Sequence, residues 1–287
     1  MGDILQTALI LSGLCLAFGA ILAVAHRKLK VWEDPRIDQV EEKLPGANCG
    51  ACGKPGCRAF AEEVVSGEIN PGKCTVSPPE KIDEIAGMLG VEVQEEVKVV
   101  ARLLCAGGKE EANYTATYER GVSTCRAEAL VAGGPKQCAW GCLGLGDCET
   151  ACTFGAISMS VNGLPLVDTD KCTACNDCVE ECPRDLFELM PIDQKLIVQC
   201  KSLLEGDQAL EQCAVACTAC GKCALDAGEG VISMKNNLAV INYSNYELAG
   251  PEAVLRCPTG AITWLRSNNQ FRDEQIPDFQ ILNEYHQ

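Results

Sequence analysis

Histidine is scarce in this 287-residue chain: the two present are His26 and His286, and neither stands near a plausible nucleophile, which leaves general acid–base catalysis few candidates. No G-x-x-x-x-G-K-[ST] run occurs. The glycine-rich piece GCLGLGD is bracketed by cysteines instead of following a strand, which argues against a nucleotide loop. Positive charge is short as well. Lys and Arg number 24 against 40 Asp and Glu, and the resulting net charge of −16 excludes a nucleic-acid surface. No catalytic residue is assigned.

From Ile4 to Ala25 charge is missing altogether for 22 residues. As a helix rising about 1.5 Å per residue, such a run covers roughly 30 Å of membrane hydrocarbon. A cleaved signal peptide is the alternative, and Ala23-Val24-Ala25 has the small residues of a cleavage site. The order of charges is the reverse of what a signal peptide needs, since Asp3 precedes the apolar run while His26, Arg27, Lys28 and Lys30 follow it. The sequence therefore predicts a single N-terminal transmembrane helix in the inner membrane, with the basic flank and everything after it on the cytoplasmic side. Gly13 with Ala17, and Gly19 with Ala23, set small residues four apart, where another membrane helix could pack closely.

Cysteine is abundant, with 21 in the chain. A disulfide framework and a set of metal sites both account for such a number, and a reducing cytoplasm favours metal. After a charged helical stalk from Val31 to Lys43, ending near Pro45-Gly46, Cys49, Cys52, Cys57 and Cys74 are spaced C-x2-C-x4-C-x16-C. Four thiolates suit one [4Fe-4S] cube or one structural zinc ion. Glycines between them favour the cube by letting backbone amides approach sulfur, while composition alone leaves zinc open. A short helix from Arg58 to Ser66, ended by Gly67, lets the chain leave and return. Pro78 to Leu89 carries Ile82, Ile85, Ala86 and Leu89 on one face and is expected to close this small domain as an amphipathic helix.

Slid against itself by 75 positions, the chain superposes Cys125 on Cys200, Cys138 on Cys213, Cys142 on Cys217, Cys148 on Cys223 and Cys182-Pro183 on Cys257-Pro258. Residues 125–183 and 200–258 thus read as two copies of one unit. In the first, Cys172, Cys175, Cys178 and Cys182-Pro183 form the C-x2-C-x2-C-x3-C-P run of two-cluster ferredoxins, whose fourth cysteine binds the other cluster. That exchange groups Cys152 with Cys172, Cys175 and Cys178, and Cys182 with Cys138, Cys142 and Cys148. In the second copy Cys152, Cys172, Cys175 and Cys178 are replaced by Ala227, Glu247, Gly250 and Ala253. One ligand set is lost whole, and Cys257 survives because its counterpart Cys182 belongs to the other set. Zinc ribbons do not exchange ligands in this way, so the pattern favours cubes.

The remaining cluster of the second copy needs Cys217, Cys223, Cys257 and either Cys213 or Cys220, and the commoner C-x2-C-x2-C spacing favours Cys220. Val254 and Leu255 are expected to fill the place of the missing cluster. Four clusters use 16 of the cysteines, leaving Cys15 and the quartet Cys105, Cys125, Cys200 and Cys213. That quartet suits either a fifth metal site or buried apolar packing.

The uncharged N-terminal run, CGACGKPGCRAFAEEVVSGEINPGKC, KQCAWGCLGLGDCETACTFGAI and CTACNDCVEECP together resemble the B subunit of the Rnf electron-transport complex, the ion-translocating ferredoxin:NAD oxidoreductase. The likeness runs from Met1 to about Leu265. It implies an α+β chain with the transmembrane anchor at 1–30, stalk and four-cysteine domain at 31–92, a two-cluster ferredoxin-like module at 93–197, a one-cluster repeat at 198–265 and a polar tail at 266–287. It further implies a subunit of an ion-pumping oxidoreductase that takes electrons from soluble ferredoxin and passes them to other membrane subunits, with lipid around its anchor and NAD chemistry on a partner. The longer family members are expected to hold two clusters in the second module, where this chain holds one. With each oxidised cube adding −2, the net charge approaches roughly −24, so docking an acidic ferredoxin needs a local basic patch. Lys171, Arg184, Lys195, Lys201 and Lys222 are the candidates. The 217–257 cluster is expected near the surface where electrons come in, and the 49–74 cluster nearest the membrane where they leave. A different membrane oxidoreductase, or a zinc-binding interaction protein, are the other readings.

Overall fold

The computed structural model describes residues 2–29, 33–94, 97–118, 121–265 and 270. Helix α1 (Gly2–Leu29) runs through the uncharged segment, and its apolar residues from Leu9 to Val24 are exposed on every side. The side chains of 2–5, 7, 8, 26 and 29 lie outside the described residues. Among the described residues no helix is long and apolar enough to cross a membrane.

Helix α2 (Pro35–Lys43) starts where the Asp34 carboxylate accepts the Arg36 N–H and Pro35 takes the first helical position. Helix α3 (Cys57–Ser66) is stopped by Gly67 at φ 82°, a left-handed turn that an L side chain resists, and α4 (Pro79–Leu89) ends the same way at Gly90. Phe60, Ala61 and Val64 of α3 pack against Val40 and Leu44 of the α2 end and Ile85 of α4. The expected stalk is corrected by this packing. Its described part, α2, belongs to the domain core, because Val40 is fully buried and Arg58 reaches Glu33, Asp38 and Glu41 across the α2–α3 seam.

The rest is built from β1 (Val99–Leu103), α5 (Cys125–Leu130), α6 (Asp147–Ala151), β2 (Ile157–Met159), β3 (Pro165–Val167), α7 (Asp177–Glu181), β4 (Phe187–Pro191), β5 (Leu196–Val198), α8 (Gly206–Gln212), α9 (Lys222–Asp226), β6 (Ile232–Lys235), β7 (Leu238–Ile241) and β8 (Ile262–Trp264). The strands form four antiparallel pairs, an outer pair β1–β4 and inner hairpin β2–β3 in one unit, then β5–β8 and β6–β7 in the next. Each unit therefore begins on its first outer strand. This moves the start of the first copy from residue 125 back to Val99.

The correction changes one equivalence. Leu104 donates its N–H to Leu186 O as Gln199 does to Ala261 O, so the cysteine that follows β1 and matches Cys200 is Cys105, not Cys125. Cys125 lies on an insertion peculiar to the first unit. In the second unit the counterpart of α7 is a tight 3-10 turn over Pro251–Val254, where Ala253, in the place of Cys178, is fully buried and Val254 joins the core with Ala227 and Ala249. Small apolar side chains close the place that four cysteines surround in the first unit. In the tail, Gln270 is the described residue, and it is buried with its amide pairing both Leu103 N–H and Leu103 O.

Phe60 is 1 % exposed at the centre of the first core, and Phe60→Ala should cost about 3–5 kcal/mol there. Amide hydrogen exchange should show α2 and α3 losing protection together, by roughly 2–4 decades. Retained protection in α2 would show that it is not part of that core.

Candidate metal centres

Thiols collect at four cavities of similar size, about 330–380 Å³ each with their mouths included. One is ringed by Cys49, Cys52, Cys57 and Cys74. Its floor is held by Asn48, whose Oδ1 accepts the Cys57 N–H at 2.8 Å and leaves no room for a Cβ at Gly56. A second is ringed by Cys152, Cys172, Cys175 and Cys178, which come from either side of the β2–β3 hairpin. Ala156 N–H points at the Cys152 sulfur at 3.2 Å and Ala101 N–H at the Cys172 sulfur at 3.5 Å. A third is ringed by Cys217, Cys220, Cys223 and Cys257, with Cys213 outside it.

The fourth departs from expectation. Its thiols are Cys142, Cys148 and Cys182 together with Cys125, and Cys138 does not line it. The reason lies in the backbone. Ala174 and Asn176 flank Cys175 with left-handed φ of 59° and 78°, Ala219 and Gly221 flank Cys220 with 58° and 72°, and Gly144 and Gly146 flank Leu145 with 78° and 81°. These are one loop used three times, and successive turns of this kind aim N–H groups into a concavity that suits an anion. The spacing between Cys142 and Cys148 is therefore C-x2-Leu-x2-C, with a leucine where the other loops place their middle cysteine. Cys125, at the start of the inserted α5, brings a thiol to this cavity where the loop has Leu145, and the backbone N–H groups of Leu145 and Asp147 favour its charged form against the burial that pushes it up. Asp147 also accepts the Arg126 N–H at 3.1 Å, which ties α5 to the loop. The sequence carried a signal for this, because Cys138 and Cys213 are equivalent: once Cys220 displaces Cys213 in one unit, Cys138 has no claim in the other.

Burial pushes the thiols of Cys142, Cys148 and Cys178 up to about 12, and neighbouring thiols add to the rise. Sulfurs so placed stay protonated in neutral water and need a metal to become thiolates. Among the described residues no three or more His, Cys, Asp or Glu groups converge to hold one metal ion. The thiols stand around cavities, with N–H groups facing the sulfurs, and that arrangement fits a four-iron cube better than zinc, which draws its sulfurs to within about 2.3 Å of one point.

The cavities are not isolated from one another. The Thr75 hydroxyl, next to Cys74, donates to Thr173 O, next to Cys172, at 2.8 Å. Cys148 on α6 senses Cys178 on the paired helix α7 across the first unit. Cys220 is exposed, whereas the other cavity thiols are partly or fully buried.

Two family models match the chain: "Putative Fe-S cluster" over residues 44–76 and "4Fe-4S binding domain" over 165–188. The chain is 40% identical over 248 residues to the B subunit of the Na(+)-translocating ferredoxin:NAD(+) oxidoreductase complex of Acetobacterium woodii, covering 86% of this chain and 74% of that protein. It is 35% identical over 276 residues to the B subunit of the proton-translocating ferredoxin:NAD(+) oxidoreductase complex of Clostridium ljungdahlii, covering 96% and 97%. It is also 35% identical over 259 residues to the B subunit of the ion-translocating oxidoreductase complex of Methanosarcina acetivorans, covering 90% and 97%. With its iron–sulfur domains and relatives aligned over most of both chains, this protein belongs to the family of Rnf complex B subunits.

Proposed function

We propose that this chain is the iron–sulfur relay component of an ion-translocating ferredoxin:NAD oxidoreductase, accepting electrons from reduced ferredoxin and delivering them to partner subunits at the membrane. The observation that carries the reading is the set of four-thiol cavities, with the Cys74 site hydrogen-bonded to the Cys172 site through Thr75 and Thr173, and Cys148 within electrostatic reach of Cys178. A [4Fe-4S] group supplies one-electron exchange when bound. Its ligands are Cys49, Cys52, Cys57 and Cys74 in the first domain, Cys152, Cys172, Cys175 and Cys178 in the second site, Cys125, Cys142, Cys148 and Cys182 in the third, and Cys217, Cys220, Cys223 and Cys257 in the last. The loop N–H groups and the N–H groups aimed at Cys152, Cys172 and Cys182 hold the thiolate charge.

Helix α1 serves as the anchor in this reading, because the run from Ile4 to Ala25 is uncharged and its described part is apolar all round. The 49–74 site, a short distance along the chain from that helix, then lies at the delivery end. The last site lies at the receiving end, where Cys220 is exposed and the exposed Lys222 opens α9 beside Cys223. The other basic candidates have partners within the chain: Arg184 donates to Gly133 O, Lys201 to Asp185 O, and Lys171 pairs with Asp168.

Ferredoxin-dependent NAD reduction by membranes that contain or lack this chain tests the role directly, and equal rates would end it. Cys125→Ala should remove the cluster of the Cys142 site and leave the Cys172 site's spectroscopic signal in place. Loss of that cluster on Cys138→Ala, with Cys125→Ala silent, would restore the assignment drawn from sequence alone. Lys222→Glu should raise the KM for reduced ferredoxin several-fold at low salt, with the difference shrinking as ionic strength rises and iron content unchanged. An unchanged KM would place docking elsewhere. A reporter fused after Gln287 should behave as cytoplasmic, and a periplasmic signal would overturn both the topology and ferredoxin as the donor.

A further inference from the structure

Four cysteines remain outside the cavities in the ferredoxin-like units, and the repeat relates them in pairs. Cys105 and Cys200 follow the first outer strand of each unit, and Cys138 and Cys213 each stand four residues before the first cysteine of a cluster loop. The two pairs meet where the units join. Ala106 N–H donates to Gln199 O at 3.1 Å, Asn113 N–H to Gln212 O at 2.9 Å and Ala214 N–H to Glu111 O at 2.8 Å, so the backbone on either side of Cys105 and Cys213 is stitched across the seam. At Gly107 a Cβ would lie 2.8 Å from the Cys213 sulfur and 3.9 Å from the Cys105 sulfur, which puts thiols from both units against one glycine. The thiol of Cys213 also senses Cys105 and Cys138, and that of Cys200 senses Cys105.

Cys105, Cys200 and Cys213 are 7–9 % exposed, and with them is buried a cation. Lys136 is 5 % exposed, its ammonium donates to Gly107 O at 2.7 Å and lies 5.8 Å from the centre of the Tyr114 ring, and the buried Glu128 carboxylate senses it, although among the described residues no ion pair forms within 4 Å. An ammonium in such a place costs several kcal/mol unless negative charge stands near it. Backbone N–H groups aim at the thiols too: Cys142 N–H at the Cys105 sulfur, 3.5 Å, and Cys217 N–H at the Cys200 sulfur, 3.3 Å. Those donors belong to cluster-loop cysteines of the two units, so the quartet stands between the Cys142 cavity and the Cys217 cavity.

We propose that Cys105, Cys138, Cys200 and Cys213 hold a fifth iron–sulfur cluster at the seam of the two units, charge-balanced by Lys136 and linking the two flanking sites. The loss of one cluster from the second unit leaves its surviving site without a partner inside that unit. A centre at the seam restores the continuity. The proposal rests on reading the four cavities as cluster sites.

The test is the iron, acid-labile sulfide and zinc content of the full chain purified without oxygen, for the wild type, Cys138→Ser/Cys213→Ser and, as a cavity control, Cys175→Ala. The wild type should hold about 20 iron and about 20 sulfide, and the seam variant about 16 of each with the cavity signals kept, at four irons per cube. Wild-type iron near 16, with Cys175→Ala removing four, overturns the seam cluster even where the seam variant fails to fold. Zinc near one per chain that disappears in the seam variant replaces the cluster with a single ion and also overturns it. Failure of the underlying cavity reading shows itself differently, as Cys175→Ala leaving iron unchanged.

Discussion

Everything in this protein depends on bringing sulfurs from distant parts of the chain around small cavities while keeping polar backbone directed at them. The loop that does so has two left-handed residues flanking a central one, and the chain uses it at 174–176, 144–146 and 219–221. Ala174 and Ala219 accept that conformation without being glycine, at a cost of roughly 1–2 kcal/mol each. The N–H groups so exposed offset thiolate charge in a chain whose net charge is already −16. Short strands and five-residue helices suffice around them, because the bound groups and their ligands, more than a large apolar core, tie the segments together.

Loss and gain of ligands follow the same physics. Where the first unit places Cys152, Cys172, Cys175 and Cys178, the second packs buried Ala253 with Ala227, Ala249 and Val254, small apolar side chains that fill the place. In the first unit the middle cysteine of one loop is leucine, and a helix inserted after β1 brings Cys125 to the same loop from outside it. The thiols that line a cavity thus come from a loop in one case and from an insertion in another, and reach the same face.

The seam shows what a tandem repeat can build that one unit cannot. Cys105 and Cys138 have no cavity of their own in the first unit, nor Cys200 and Cys213 in the second. Joined through the backbone bonds at 106, 113 and 214, the buried Cys105, Cys200 and Cys213 and the partly buried Cys138 gather beside Lys136.

Much was legible in the residues alone. Spacing grouped Cys49 with Cys74 and favoured Cys220 over Cys213, the repeat grouped Cys172 with Cys152, and each of these sets lines one cavity, because thiols on one loop sit at fixed short separations and cysteines lost together leave a readable scar. Caps and periodicity located α3 and α4 to within a residue, since Gly67 and Gly90 are local stops. Tertiary structure alone decided three things. It took the described part of the stalk into the first core through Val40, lined the Cys142 cavity with Cys125 and not with Cys138, and made Cys105 the counterpart of Cys200. Each of these turns on contacts between segments far apart in the chain, and an insertion between β1 and the first cluster loop shifts sequence numbering without moving the fold, so an ungapped alignment pairs the wrong cysteines where the strands pair the right ones.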